Sequence, residues 1–83
     1  MDYVFKPSVI RDLKKLQKLI QARVIKKLDF FIDSEDPLSF AERLNDVALG
    51  EFRFRIGDYR VIFNVEQQDI IILAIGHRKN IYK

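Results

Sequence analysis

Six side chains in the second half of this chain are of types that act on anions: Arg53, Arg55, Arg60, His77, Arg78 and Tyr82. In "EFRFRIGDYRVIFNVE" the apolar Phe52, Phe54 and Ile56 alternate with Arg53 and Arg55, the two-residue period of a strand with one apolar and one basic face. Gly57-Asp58 reads as a two-residue hairpin loop, which sets Ile56 opposite Tyr59 and Arg55 opposite Arg60. Directly opposed residues share a face, so the spacing predicts three guanidinium groups on one side of the sheet, a like-charge arrangement that costs stability unless water or an anion offsets it. With Gln67-Gln68 as a second loop, Arg60 falls opposite Ile75, and His77 projects from the same side. Arg78, Lys79, Tyr82 and Lys83 follow just beyond the strand in "GHRKNIYK". A slip of one residue in this second hairpin turns His77 to the other face.

Such a cluster suits phosphodiester chemistry. Fixed cations stabilise the charge that builds up at phosphorus in the transition state. A histidine moves protons near neutral pH, and a tyrosine stacks on an unpaired base. Arginine stays protonated and cannot be the general base. No acidic cluster with metal-ligand spacing accompanies these residues, so cleavage would use the 2′-hydroxyl of RNA as nucleophile, without metal or cofactor. From the pattern alone the bland reading is the favoured one: alternating Arg on a strand is usually a solvated sheet face. A lone His after a strand is often incidental, and a basic last turn often only solubilises. The residues by themselves define a small α+β domain with a sheet face suited to an anion.

The elements that must position these groups are legible in outline. "DYVFK" is a short strand, and Pro7 supplies a first-turn helix residue. Val9, Leu13, Leu16, Ile20, Val24, Leu28 and Phe31 then recur in steps of three and four, one helical stripe with Lys14, Lys15, Lys18, Lys26 and Lys27 mostly off it. The periodicity allows one long helix or two with a break near Gln17–Leu19. "DSEDP" ends the stripe, and Asp36-Pro37 opens a short helix "PLSFAERLN". "DIIILAIG", apolar on both faces, reads as a central strand. Phe30, Phe31, Phe40, Phe52, Phe54 and Phe63 are expected in the core. The order is β-α-α-(α)-β-β-β, an α+β fold with helices on one face of a mostly antiparallel sheet.

The bulk composition bounds the rest. Eighty-three residues with 48% hydrophobic content make one small domain, residues 1–83, with too much apolar material for a disordered chain. There is no cysteine, which fits a reducing cytoplasm. Neither a signal peptide nor a membrane-spanning run is present, so a cytoplasmic protein is expected. The net charge is +3, and three of the six basic residues after residue 49 lie in the last six positions, a mild bias towards an anionic partner.

"GEFRFRIGDYRVIFNVEQQDIIILAIGHRKNIYK" resembles the C-terminal half of RelE-type toxins of the RelE/ParE toxin–antitoxin superfamily. There a basic strand leads into "G-D-Y-R-V-I-Y/F" and a last strand into "G-H/K-R-x-x-x-Y". The N-terminal half agrees, with a first strand, an "S-x-x-x-D/K-L-K-K-L" helix and "D-P-x-x-F-A-x-x-L". The resemblance implies two packed helices against an antiparallel sheet, which favours the break near Gln17–Leu19. It implies a ribosome-dependent endoribonuclease that cuts mRNA in the A site, is held inactive by a cognate antitoxin, and meets operator DNA only through the antitoxin complex. Carried over by position, Arg60 would bind phosphate, Arg78 would stabilise or protonate the leaving group, and Tyr82 would stack on the scissile nucleotide. Arg53 and Arg55 stand where well-known members have lysines, which removes a group able to lose its proton: either His77 serves as auxiliary acid/base, the reading favoured here, or catalysis is mostly charge stabilisation and alignment of the 2′-hydroxyl. Arg53, Lys79 and Lys83 would add RNA-binding charge. The resemblance also admits a DNA-gyrase inhibitor of the same fold, as in the sister branch, or an inactive relative that binds only its antitoxin.

Overall fold

The structure, a computed structural model, describes residues 1–82. Strand β1 (Tyr3–Phe5) leads into helices α1 (Pro7–Lys15) and α2 (Lys18–Asp33). A 3₁₀ turn at Pro37–Phe40 precedes four strands, β2 (Ala41–Arg43), β3 (Phe52–Ile56), β4 (Tyr59–Glu66) and β5 (Asp69–His77). They form one sheet in the order β1-β5-β4-β3-β2, antiparallel except for the parallel β1–β5 pair. The expected α+β class, with two N-terminal helices on a mostly antiparallel sheet, is what the chain adopts.

The helix break falls at Leu16 and Gln17, whose ψ angles of 155° and 146° are extended. The side chain of Gln21 makes the break tolerable. Its Nε2 donates to the carbonyl of Leu16 at 2.7 Å and to that of Lys14 at 3.3 Å, covering acceptors that the end of α1 leaves bare. Folding the stripe back in this way puts both helices on the same sheet face. Val9, Val24, Leu28 and Phe31 are buried there against Phe54, Ile56, Val61, Phe63, Ile70, Ile72 and Ile75, with Leu13, Leu16 and Ile20 packed at the margin. Two of the aromatic residues expected in the core lie at its edge instead. Phe30 and Phe40 are 56% and 42% exposed, and Phe40 reaches the core by stacking on Phe31 at 4.8 Å.

The short helix expected over "PLSFAERLN" is replaced by the 3₁₀ turn and β2. The Ser39 hydroxyl donates to the Asp36 carbonyl at 2.7 Å, a local bond that competes with helix propagation. Ala41 is extended, and residues 41–43 pair with Phe52–Phe54. Satisfying the open edge of β3 outweighs the helix propensity of "AERL".

The first hairpin has the expected register, with Arg55 opposite Arg60 and Ile56 opposite Tyr59. Gly57, at φ 58°, supplies the positive φ that the first loop position needs. The second hairpin departs from expectation. Its loop is Gln67-Gln68, but the register shifts between Ile62 and Phe63, leaving Leu73 without a partner. This bulge sets Arg60 opposite Gly76 rather than Ile75, and His77 opposite Tyr59. The cause lies in the core. In a regular hairpin Ala74 and Gly76 would face the helices; the bulge puts Ile75 there instead, and burying that larger apolar side chain is worth roughly 1.5–3 kcal/mol.

Candidate functional site

The face of the sheet turned away from the helices carries the basic residues, and the small side chains that the bulge leaves there decide its shape. Two rows cross it. One runs through Arg55, Arg60 and Gly76, the other through Glu42, Arg53, Ile62 and Ala74. Gly76 and Ala74 leave a shallow place on β5, and the C-terminal turn folds down into it. A Cβ added at Gly76 would meet Ile81 at 3.7 Å, so Ile81 rests directly on that backbone. Tyr82 then reaches across to β3, where its hydroxyl accepts a 2.8 Å hydrogen bond from Arg53 Nη1 and its ring lies 5.7 Å from the guanidinium carbon.

Arg53 is the centre of the arrangement. Beyond Tyr82 it pairs with Glu42 at 3.4 Å, and Arg55 Nε pairs with the other oxygen of Glu42 at 3.5 Å. One carboxylate thus bridges two guanidinium groups. The hydroxyl of Tyr82, and then Glu42, raise the Arg53 pKa above its usual value, so this side chain stays charged. Its Nε is buried and has no hydrogen-bond partner among the described residues. An unpaired buried donor costs about 1–3 kcal/mol, and such groups collect where a ligand supplies the missing acceptor.

Arg55 and Arg60, although opposed, do not meet as like charges. Arg55 turns to Glu42, while Arg60 is 5% exposed and its Nη1 donates to the carbonyls of Gly57 and Tyr59, both at 2.8 Å. Arg60 therefore braces the hairpin turn from within the site. Arg78 stands at the rim of the same turn. Its amide donates to the Asp58 carbonyl at 2.8 Å, and its exposed guanidinium lies 3.7 Å from the Asp58 carboxylate.

His77 is a correction to the expected set. The bulge turns it to the helix side, edge-on to Tyr59 with ring centroids 5.4 Å apart. Its Nδ1 accepts the amide of Lys79 at 3.1 Å. Lys79 is exposed at the turn, and Lys83 lies outside the described residues. Sequence reasoning missed Glu42 because residues 41–45 read as helix; only pairing on β3 brings it between Arg53 and Arg55. Among the described residues no group of three His, Cys, Asp or Glu side chains gathers as a metal site. A groove of about 620 Å³ lies along the helices, bordered by Leu13, Gln21 and Ile25, but it gathers no comparable set of reactive groups. No helix among the described residues is long and apolar enough to cross a membrane.

A family model described as the ParE toxin of the type II toxin–antitoxin system parDE matches residues 3–82. The chain belongs to this toxin family, within the RelE/ParE superfamily. It is similar to toxin RelG of Mycobacterium tuberculosis, with 32% identity over 81 residues that cover 95% of this chain and 92% of that protein. Among solved structures, the toxin–antitoxin complex RelBE2 of M. tuberculosis holds a chain 30% identical, with a TM-score of 0.77 over 93% of this chain and 96% of that one. A chain of the archaeal RelE–RelB complex of Pyrococcus horikoshii is 26% identical, with a TM-score of 0.70 over 95% and 94%. These neighbours bear out the fold and the superfamily resemblance carried by "GDYRVIF" and "GHRKNIY".

Proposed function

We propose that this RelE/ParE-superfamily toxin cuts mRNA in the ribosomal A site through attack of the 2′-hydroxyl on the adjacent phosphodiester. The observation that carries the reading is the setting of Arg53: a charged guanidinium between Tyr82 and Glu42, with one buried donor left over. A non-bridging phosphate oxygen supplies the acceptor that Arg53 Nε lacks. Arg53 and Arg55 then hold the charge that accumulates on the pentacoordinate phosphorus, in a setting aligned before the reaction begins. Glu42 is the carboxylate that the described residues seat between these arginines, and it takes the proton of the attacking 2′-hydroxyl. The bond from phosphorus to the 5′-oxygen breaks, leaving a 2′,3′-cyclic phosphate, and water protonates the departing 5′-oxygen beside Arg78. Tyr82 stacks on the scissile nucleotide, and Arg60 keeps the turn in place while adding positive charge. Lys79, exposed on the C-terminal turn, adds charge for the RNA backbone, and Lys83 is proposed from the sequence alone to do the same. No metal or cofactor takes part in this scheme, and His77 transfers no proton in it.

The structural neighbours are toxin–antitoxin complexes, which supports a cognate antitoxin as the partner of this chain. We place operator DNA in its reach only through that antitoxin. A second reading, inhibition of DNA gyrase without RNA cleavage, has the ParE description of the matching family model in its favour.

Primer extension on a defined mRNA, in a reconstituted translation mix with and without ribosomes, tests the proposal. Ribosome-dependent cuts inside the A-site codon, lost in Glu42→Gln and Arg53→Ala proteins, support it. Absence of cuts from folded protein, together with inhibited supercoiling by gyrase, replaces it with the second reading.

A further inference from the structure

The turn that delivers Tyr82 to Arg53 is built almost entirely on one residue. The carbonyl of His77 accepts the amides of Asn80 and Ile81 at 2.9 and 3.0 Å. Its ring Nδ1 accepts the amide of Lys79 at 3.1 Å. The remaining amide of the turn, that of Arg78, goes to the Asp58 carbonyl at 2.8 Å. His77 thus satisfies three of the four amides between itself and Tyr82, one of them with its side chain.

That side-chain bond dictates the state of the ring. A backbone amide only donates, so the nitrogen facing it must offer a lone pair, and the imidazole proton must sit on Nε2. A doubly protonated ring presents N–H to N–H and cannot make the bond. Tyr59 packs edge-on against the ring and limits its rotation. The arrangement matches the way an Asn or Asp side chain accepts an amide two residues on.

We propose that neutral His77 is a positioning residue: its Nδ1 caps the C-terminal turn and so sets Ile81 on Gly76 and Tyr82 on Arg53. The effect on activity rests on the RNA-cleavage reading above; the capping itself does not. Near-attack alignment is sensitive to displacements of about 1 Å, which can cost up to roughly 100-fold in rate, so losing the cap should lower cleavage by about 10- to 100-fold.

Three proteins test this: wild type, His77→Ala and His77→Asn. Ring ¹⁵N spectra of the wild type at neutral pH should show the Nε2–H tautomer. Hydrogen exchange at the Lys79 amide should accelerate in the alanine protein and stay slow in the asparagine protein, whose Oδ1 restores an acceptor. Cleavage should fall in the alanine variant and recover to within a few-fold of wild type in the asparagine variant. A Nδ1–H tautomer, or an unchanged Lys79 amide in the alanine protein, would overturn the proposal. Equal loss of cleavage in both variants, with the Lys79 amide still protected in the asparagine protein, would also overturn it and return His77 to acid/base work. If the wild type cuts no RNA, the spectra and exchange data still decide the cap, and the failure belongs to the nuclease reading alone.

Discussion

The two faces of the sheet are organised on opposite principles. On the helix face Phe54, Val61, Phe63, Ile70 and Ile72 have no exposed surface, and apolar contact does most of the holding. On the other face Glu42, Arg53, Arg55 and Tyr82 are partly exposed, joined by long ion pairs and one short hydrogen bond, and a buried donor finds no partner among the described residues. Selection for stability alone would remove that donor and thin out the arginines. The helix face holds the chain folded, and the arginine face, on the function proposed above, spends some of that stability on a surface for an anion. Damage to the two faces should therefore separate cleanly.

The largest effect is expected on the helix face. Phe54→Ala removes a ring packed at 4.5 Å against both Phe31 and Phe63, and should destabilise the protein by about 3–5 kcal/mol in urea or thermal unfolding. An unchanged unfolding midpoint would mean that this ring is not the centre of the core. Arg53→Ala should do the reverse, lowering cleavage by about 100-fold or more while leaving the unfolding midpoint nearly unmoved. If instead it unfolded the protein, the two faces would not be separable as described.

A smaller effect tests the second hairpin. Gln67 and Gln68 adopt φ of 50° and 70°, a conformation that costs a residue with a Cβ about 1–2 kcal/mol. Gln68→Gly should stabilise the fold by about 0.5–1 kcal/mol, after allowing for the entropy that glycine loses. Growth inhibition by this variant should match wild type, because the loop lies at the far end of the hairpin from Arg60.

The smallest effect appears only at alkaline pH. Burial, reinforced by its 2.7 Å hydrogen bond to Asp29, pushes the Tyr3 hydroxyl up to about 12 from an ordinary 10. The folded chain holds this proton more tightly than the unfolded one, so the contribution is whole below pH 10 and is lost as pH rises through 12. Urea midpoints followed across that range should fall more steeply for wild type than for Tyr3→Phe. Parallel curves would remove Tyr3 from the account of how β1 is tied to α2.

Much of this was written into local pattern. The helical stripe from Val9 to Phe31, the alternation from Phe52 to Ile56 and the Gly57-Asp58 loop each follow from short-range geometry, so the fold class and the facing of Arg53, Arg55 and Arg60 were legible. Two decisions were not. Residues 41–43 became a strand because β3 needed a partner along its edge, and only that pairing sets Glu42 between two arginines. The bulge at Leu73 arose because the core gains more from Ile75 than from Ala74 and Gly76, a comparison no local pattern contains. It turned His77 away from the arginine face and cleared the small-residue floor on which the C-terminal turn lies. Sequence by itself determined which residues alternate and where the chain can turn. Tertiary packing decided parity along β5, because parity is settled by what the core can bury.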